Sequence, residues 1–210
     1  MFIKRGNINR WMDLRELKKE VQKLPDIDEN LEQFQQHWLK PFKKDAMPKF
    51  NFLKNIDPIT RRDINQKLAE IQPHIDQIKS SGQINEKLRR HANQLIEMKL
   101  TSINGDRKRG KMLSNSMLKD EVLSLGKTIN EVKCFEENLM KLSDNYEEIN
   151  ELLHKNLSLE ETVFFMDLPH KLYLYNLINT AKEHKKIVRD LGQHFVAINK
   201  EMSLKKVPHK

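Results

Sequence analysis

The chain has 210 residues, of which 38% are hydrophobic and 32% charged, with 38 Lys and Arg against 30 Asp and Glu and a net charge of +8. Such a balance supports a buried core but is more polar than an ordinary globular domain, as long helices with wide solvated faces would make it. The single Cys134 excludes an internal disulfide and a cysteine-based zinc site, which points to a reducing, cytoplasmic setting, and no run reaches the roughly 18 apolar residues of an integral membrane segment.

Apolar residues recur at helical spacing almost throughout. The opening MFIKRGNINRWM carries Phe2, Ile3, Ile8 and Trp11 among three cations without the continuous apolar block of a signal peptide. A frayed extension ahead of a helix starting at about Met12 is expected there, with a weak interfacial membrane anchor as the alternative. Leu14, Leu17, Val21 and Leu24 then step by three and four up to Pro25, and Leu31, Phe34 and Trp38 mark a second short helix that stops near Pro41. From Pro41 to Pro58 three prolines and no sustained period read as a connector, rich in both Phe and Lys.

Ile64, Leu68, Ile71, Ile75 and Ile78 form a heptad seam that continues past Pro73, so one kinked helix is expected. SSGQ at 80–83 reads as a short turn, and Ile84, Leu88, His91, Leu95 and Met98 resume the beat, which predicts an antiparallel hairpin. Leu118, Val122, Leu125, Ile129, Val132, Phe135, Leu139, Leu142, Tyr146, Ile149 and Leu153 predict one long third helix from Ser116 to His154. The two consecutive steps of three at Ile129, Val132 and Phe135 read as a stammer. Ser158 with Glu161 is a capping box, and a last seam runs from Leu174 to Met202 through His184. The fold class is therefore all-α: an elongated bundle of long antiparallel coiled-coil-like helices with short N-terminal helices. Residues 1–57 would pack on the 58–210 bundle as one extended domain.

Gly105 to Lys111 reads G-x-x-x-x-G-K, close to a phosphate-binding loop. The hydroxyl that should bind magnesium is replaced by Met112, and the preceding ANQLIEMKL has helical spacing where the motif requires a strand. The likeness is coincidental, no nucleophile elbow is present, and the chain reads as no enzyme. Glu151 with His154 has one of the spacings of a di-iron bundle, but no second inward pair completes a ligand set. His91 and His184 fall on seams, where lone histidines act as polar register-setters more often than as metal ligands. Neither cofactor nor metal is implied.

Charge is uneven along the chain. Residues 113–160 carry 5 basic against 10 acidic side chains, while the rest is basic, so part of the positive charge is expected to be neutralised inside the bundle. Arg107, Lys108, Arg109 and Lys111 stand together, with Arg89 and Arg90 on the helix leading toward them, and Lys182, Lys185, Lys186 and Arg189 recur on one stripe of the last helix. These ten cations point to phosphate neutralisation, with nucleic acid or a ribonucleoprotein as partner. The second expectation is a protein-interaction or self-association scaffold, whose mark would be an apolar seam left over after the chain has folded.

Overall fold

A computed structural model describes residues 5–42, 56–104, 115–166 and 169–204. Among these residues the protein is all-α. The helices are α1 (Arg5–Gln22), α2 (Ile27–Phe34), α3 (Pro58–Ser80), α4 (Ile84–Asn104), α5 (Asn115–Asn156), α6 (Leu159–Met166) and α7 (His170–Leu204). Helix α1 starts at Arg5, so the segment read as a frayed extension is largely helical. The connector residues 43–55, the basic stretch 105–111 and the C-terminal tail lie outside the described residues.

Helix ends follow local chemistry. Asp26 caps α2 by accepting from the Glu29 amide at 3.0 Å. Asp57 caps α3 by accepting from the amides of Ile59 and Thr60 at 3.0 Å each, ahead of Pro58, whose missing N–H costs nothing in a first turn. Hydrogen bonds from Thr60, side chain first, hold the Asp57 carboxyl below its usual range. The capping box before α6 is present, with Glu161 accepting from the Ser158 amide at 2.9 Å and donating its own amide to Ser158 Oγ at 3.3 Å. After Phe34 the chain widens into a π-helical turn, Gln35–Leu39, and a 3₁₀ turn, Lys40–Phe42, instead of stopping cleanly before Pro41.

Contacts divide the chain into two units. The first holds residues 1–24, 83–132 and 182–210, and the second holds 25–82 and 133–181, so α5 and α7 contribute a stretch to each. Helix α3 falls in the second unit and α4 in the first, with the division at the short turn that the sequence predicts. At that turn a Cβ on Gly82 would come within 2.5 Å of the Asp28 carboxylate, a close approach that only glycine permits without displacing the acid.

In the second unit α3 runs antiparallel to α5. Lys67 is bonded to Glu148, which raises its pKa, and His74 lies 2.9 Å from Asn138. Rings fill its centre: Phe34 stacks on Trp38 at 5.2 Å, Tyr146 lies 4.9 Å from Trp38, and His170 meets Tyr146 edge-on at 5.7 Å. Burial pushes the Tyr146 hydroxyl up to about 12.

In the first unit α4 runs antiparallel to α5 and parallel to α7. Lys87 donates to both carboxylate oxygens of Glu131 at 2.6 and 2.8 Å, and Arg90 donates to Ser124 Oγ at 3.1 Å. On the α7 side His184 Nε2 donates to Asn85 Oδ1 at 2.7 Å and Lys99 donates to Glu201 at 2.6 Å. The centre of the α4–α5 contact is polar. His91 is fully buried; its Nδ1 is bonded to Glu121, itself 8% exposed, and its Nε2 lies 3.0 Å from the buried Thr128 hydroxyl.

This trio revises the seam of α5. Apart from Asn150, the buried positions are Leu118, Glu121, Leu125, Thr128, Val132, Phe135, Leu139, Leu142, Tyr146, Ile149 and Leu153, which alternate three and four without a break. The expected stammer therefore disappears: Glu121 and Thr128 occupy the seam, while Val122 is exposed and Ile129 half-buried.

Glu121→Ala should lower unfolding free energy by about 2–3 kcal/mol in urea titration, because it strands a buried ring nitrogen. Joint replacement of His91 and Glu121 by Leu should cost less than Glu121→Ala alone, since Thr128 Oγ1 keeps the Ser124 carbonyl at 3.3 Å.

Candidate interaction surface

Six of the ten cations expected to contact phosphate fall among the described residues; Arg107, Lys108, Arg109 and Lys111 lie outside them. The six do not share one surface role. Arg89 stands 3.6 Å from Glu86, one turn before it on α4, and Arg90 is tied to Ser124. Lys186 donates to Glu20 of α1 at 3.0 Å, and that bond raises its pKa, reinforced by the charge of Glu20. It sits in a polar groove of about 410 Å³ whose walls include Asp13, Glu16, Glu20 and Asp190. Lys186 is thus neutralised by acids of its own unit.

Lys182, Lys185 and Arg189 are exposed, and Arg189 contacts its neighbour Asp190 at 3.3 Å. Of the four, Lys186 is the one bonded to α1, while Lys182 lies one turn before it. At about 100° per residue the four cations fall within roughly one 100° arc of the helix.

A second groove of this unit is apolar. It occupies about 670 Å³ and runs between α5 and α7, walled by Val122, Leu123, Ile129, Phe195 and Val196, with Gly126 on one helix and Gly192 on the other. Val122 is 46%, Leu123 68% and Val196 69% exposed. Val122 and Ile129 are the two residues displaced from the α5 seam by Glu121 and Thr128. A Cβ built on Gly126 or Gly192 would meet nothing within 4 Å. Sequence reading missed this surface because both aliphatic positions were assigned to the core; the available signal was the excess of apolar residues over what one seam accommodates.

The seam histidines are more deeply buried than register-setters at a wet edge. His184 is desolvated, which pushes its pKa down to about 4, and its bonded Asn85 is buried with it. His170 of the second unit is likewise lowered to about 4, by burial first and then by the charges of Lys171 and His37. Among the described residues no three His, Cys, Asp or Glu side chains converge to hold a metal ion, and no helix is long and apolar enough to cross a membrane.

Comparison with models of protein families, with characterised proteins and with solved structures returned no match. What this surface does has to be judged from its own chemistry.

Two outcomes follow. A histidine held neutral in the fold takes up a proton only on unfolding, so its stabilisation is intact above its ordinary pKa of 6.5 and is lost as pH falls toward about 4. Stability should drop by roughly 2 kcal/mol per such histidine between about pH 6.5 and pH 5, and His184→Gln should flatten that part of the profile in urea melts at stepped pH. Gly126→Ala and Gly192→Ala should each stabilise the protein by up to about 1 kcal/mol, seen as a higher urea midpoint, because each improves helix propensity in open space.

Proposed function

We propose that this chain is a non-enzymatic, cytoplasmic interaction protein that receives a helix of a protein partner in the groove between α5 and α7. The observation that carries the reading is three exposed aliphatic side chains, Val122, Leu123 and Val196, bordering a groove with a glycine on each wall. Apolar surface gathered in a concave strip is the usual ground for helix-in-groove recognition, in which anchors at i, i+3 or i+4 and i+7 fill the trough. Glycine on both walls lets a third backbone come close, as small residues do wherever helices meet tightly. In this reading the coiled-coil-like character of α5 and α7 serves two seams at once, one inward to the core and one outward to the partner.

Cytoplasmic placement is supported by the single Cys134, and the non-enzymatic reading by the lack of a nucleophile, base and oxyanion set in the sequence. Phosphate neutralisation is the second reading, supported by the exposed Lys182, Lys185 and Arg189. It is the weaker because Lys186 and Arg90 are engaged within the fold.

A photo-crosslinking residue placed at Val196 in cells should capture one identifiable protein through a helical segment, and the adduct should vanish when Gly126 and Gly192 are both changed to Leu. The same probe at Leu159, 80% exposed on the other unit, is the control. Adducts to nucleic acid alone would move the assignment to the phosphate reading.

A further inference from the structure

Helix α1 segregates its charges, and its outward side carries one sign only. From Asp13 to Leu24 all four apolar residues, Leu14, Leu17, Val21 and Leu24, are buried, which fixes the side of the helix that faces the core. At about 100° per residue the acids Asp13, Glu16 and Glu20 fall within an arc of about 60° on one flank of that side. All three line the polar groove beside Lys186, so the acids of α1 are turned toward α7. Arg15, Lys18, Lys19 and Lys23 share an arc of about 140° opposite the core, with Gln22 and no acid among them, and all are exposed. Lys23 stands one residue past the helix end but keeps its phase, because its amide donates to the Lys19 carbonyl at 3.2 Å. No ion pair ties Lys18, Lys19 or Lys23 to another described residue. The groove that holds Glu20 and Lys186 also has Asp13 and His194 in its walls, so α1 and α7 run antiparallel. Lys182, exposed and one turn before Lys186, therefore stands at the Lys23 end of α1.

From this arrangement we infer that the outward side of α1, together with Lys182, is a docking surface for the phosphate backbone of a nucleic-acid duplex. Three features select this occupant. Arg15, Lys19 and Lys23 recur every four residues, about 6 Å of rise apart, so they set a row of point charges along the helix as a strand sets a row of phosphates. From Asp13 onward the face has no exposed apolar side chain, whereas a membrane surface or a partner helix needs an apolar ridge to hold. Nor does that stretch offer an aromatic ring on which unpaired bases could stack, which leaves the backbone of paired strands as the part engaged. Such contacts position a duplex without reading its sequence. The inference goes beyond helix docking and does not depend on the groove between α5 and α7.

The test titrates the full chain against two fluorescein-labelled DNA duplexes of equal length and unrelated sequence, by anisotropy over a salt series. Both should bind with the same affinity, and the logarithm of the association constant should fall linearly with the logarithm of salt concentration. Changing Lys18, Lys19 and Lys23 together to Gln should make that slope shallower by about 2 to 3, since each phosphate contact contributes about 0.9. Arg at the same three positions should keep the slope. The urea midpoint of the Gln variant should match that of the parent chain, which separates lost contact from lost fold. Gly126→Leu with Gly192→Leu should leave duplex binding intact, so failure of the helix-docking reading and failure of this inference are read separately.

Equal slopes for the parent chain and the Gln variant would overturn the inference and put any duplex binding elsewhere on the chain. Absence of salt-dependent binding to either duplex would overturn it as well. Capture of anionic phospholipid vesicles under salt conditions where neither duplex binds, lost in the Gln variant, would overturn it by assigning the face to a lipid surface.

Discussion

The hydrogen-bonded trio of His91, Glu121 and Thr128 sets the rotation of α5, and the surface of its unit follows from that rotation. A fully buried imidazole and a nearly buried carboxyl are tolerated only because each supplies the other's partner. Turning α5 so that Val122 and Ile129 face inward would carry Glu121 toward solvent and leave the buried His91 ring without its partner. The helix instead keeps an unbroken three-four seam over its whole length and carries those aliphatic residues on its flank. The trio thereby does two things at once: it fixes the register of α4 on α5, and it exposes the apolar strip that makes the groove.

Electrostatics follows the same division between inward and outward. Several of the chain's cations are paired with its own acids: Lys67 with Glu148, Lys87 with Glu131, Lys99 with Glu201 and Lys186 with Glu20. Most of these pairs are exposed enough that each adds little to stability. Their effect is on identity of surface, because they remove cations from the pool that a phosphate backbone could engage. Lys99 is the exception in degree, since its ammonium is almost fully buried beside Glu201 and fixes α4 against α7. Lys119 lies in the wall of the apolar groove, whereas Arg189 is itself paired with its neighbour Asp190.

Much of the architecture was legible in residue spacing. The seams of α3, α4 and α7, the C-terminal half of α5 and the Ser158–Glu161 box all stand where periodicity and capping chemistry put them, because each depends on neighbours within a few turns. What escaped was decided by residues far apart in sequence. No one-dimensional pattern places Glu121 in a seam ahead of Val122; that requires knowing that His91, thirty residues earlier, is opposite. The division at Gly82 escaped for the same reason: a short glycine turn is compatible with a hairpin and equally with two helices that serve different units. Which of the α7 cations is engaged was not legible either, because only the position of α1 shows that Lys186 meets Glu20.

Gly126 and Gly192 lie on facing walls of the groove. Each sits inside a long helix, where glycine weakens the helix by about 1 kcal/mol relative to alanine. Glycine is commonly explained by a positive φ or by a close neighbour, as Asp28 explains Gly82. Neither explanation applies to this pair: both residues are in regular helix, and a Cβ on either would stand in open space. The fold alone has no use for them. A backbone arriving from outside does, since a methyl group on each wall would narrow the trough in which that backbone has to lie. The stability forgone at these two positions is therefore better understood as room kept for a partner than as a defect of the core.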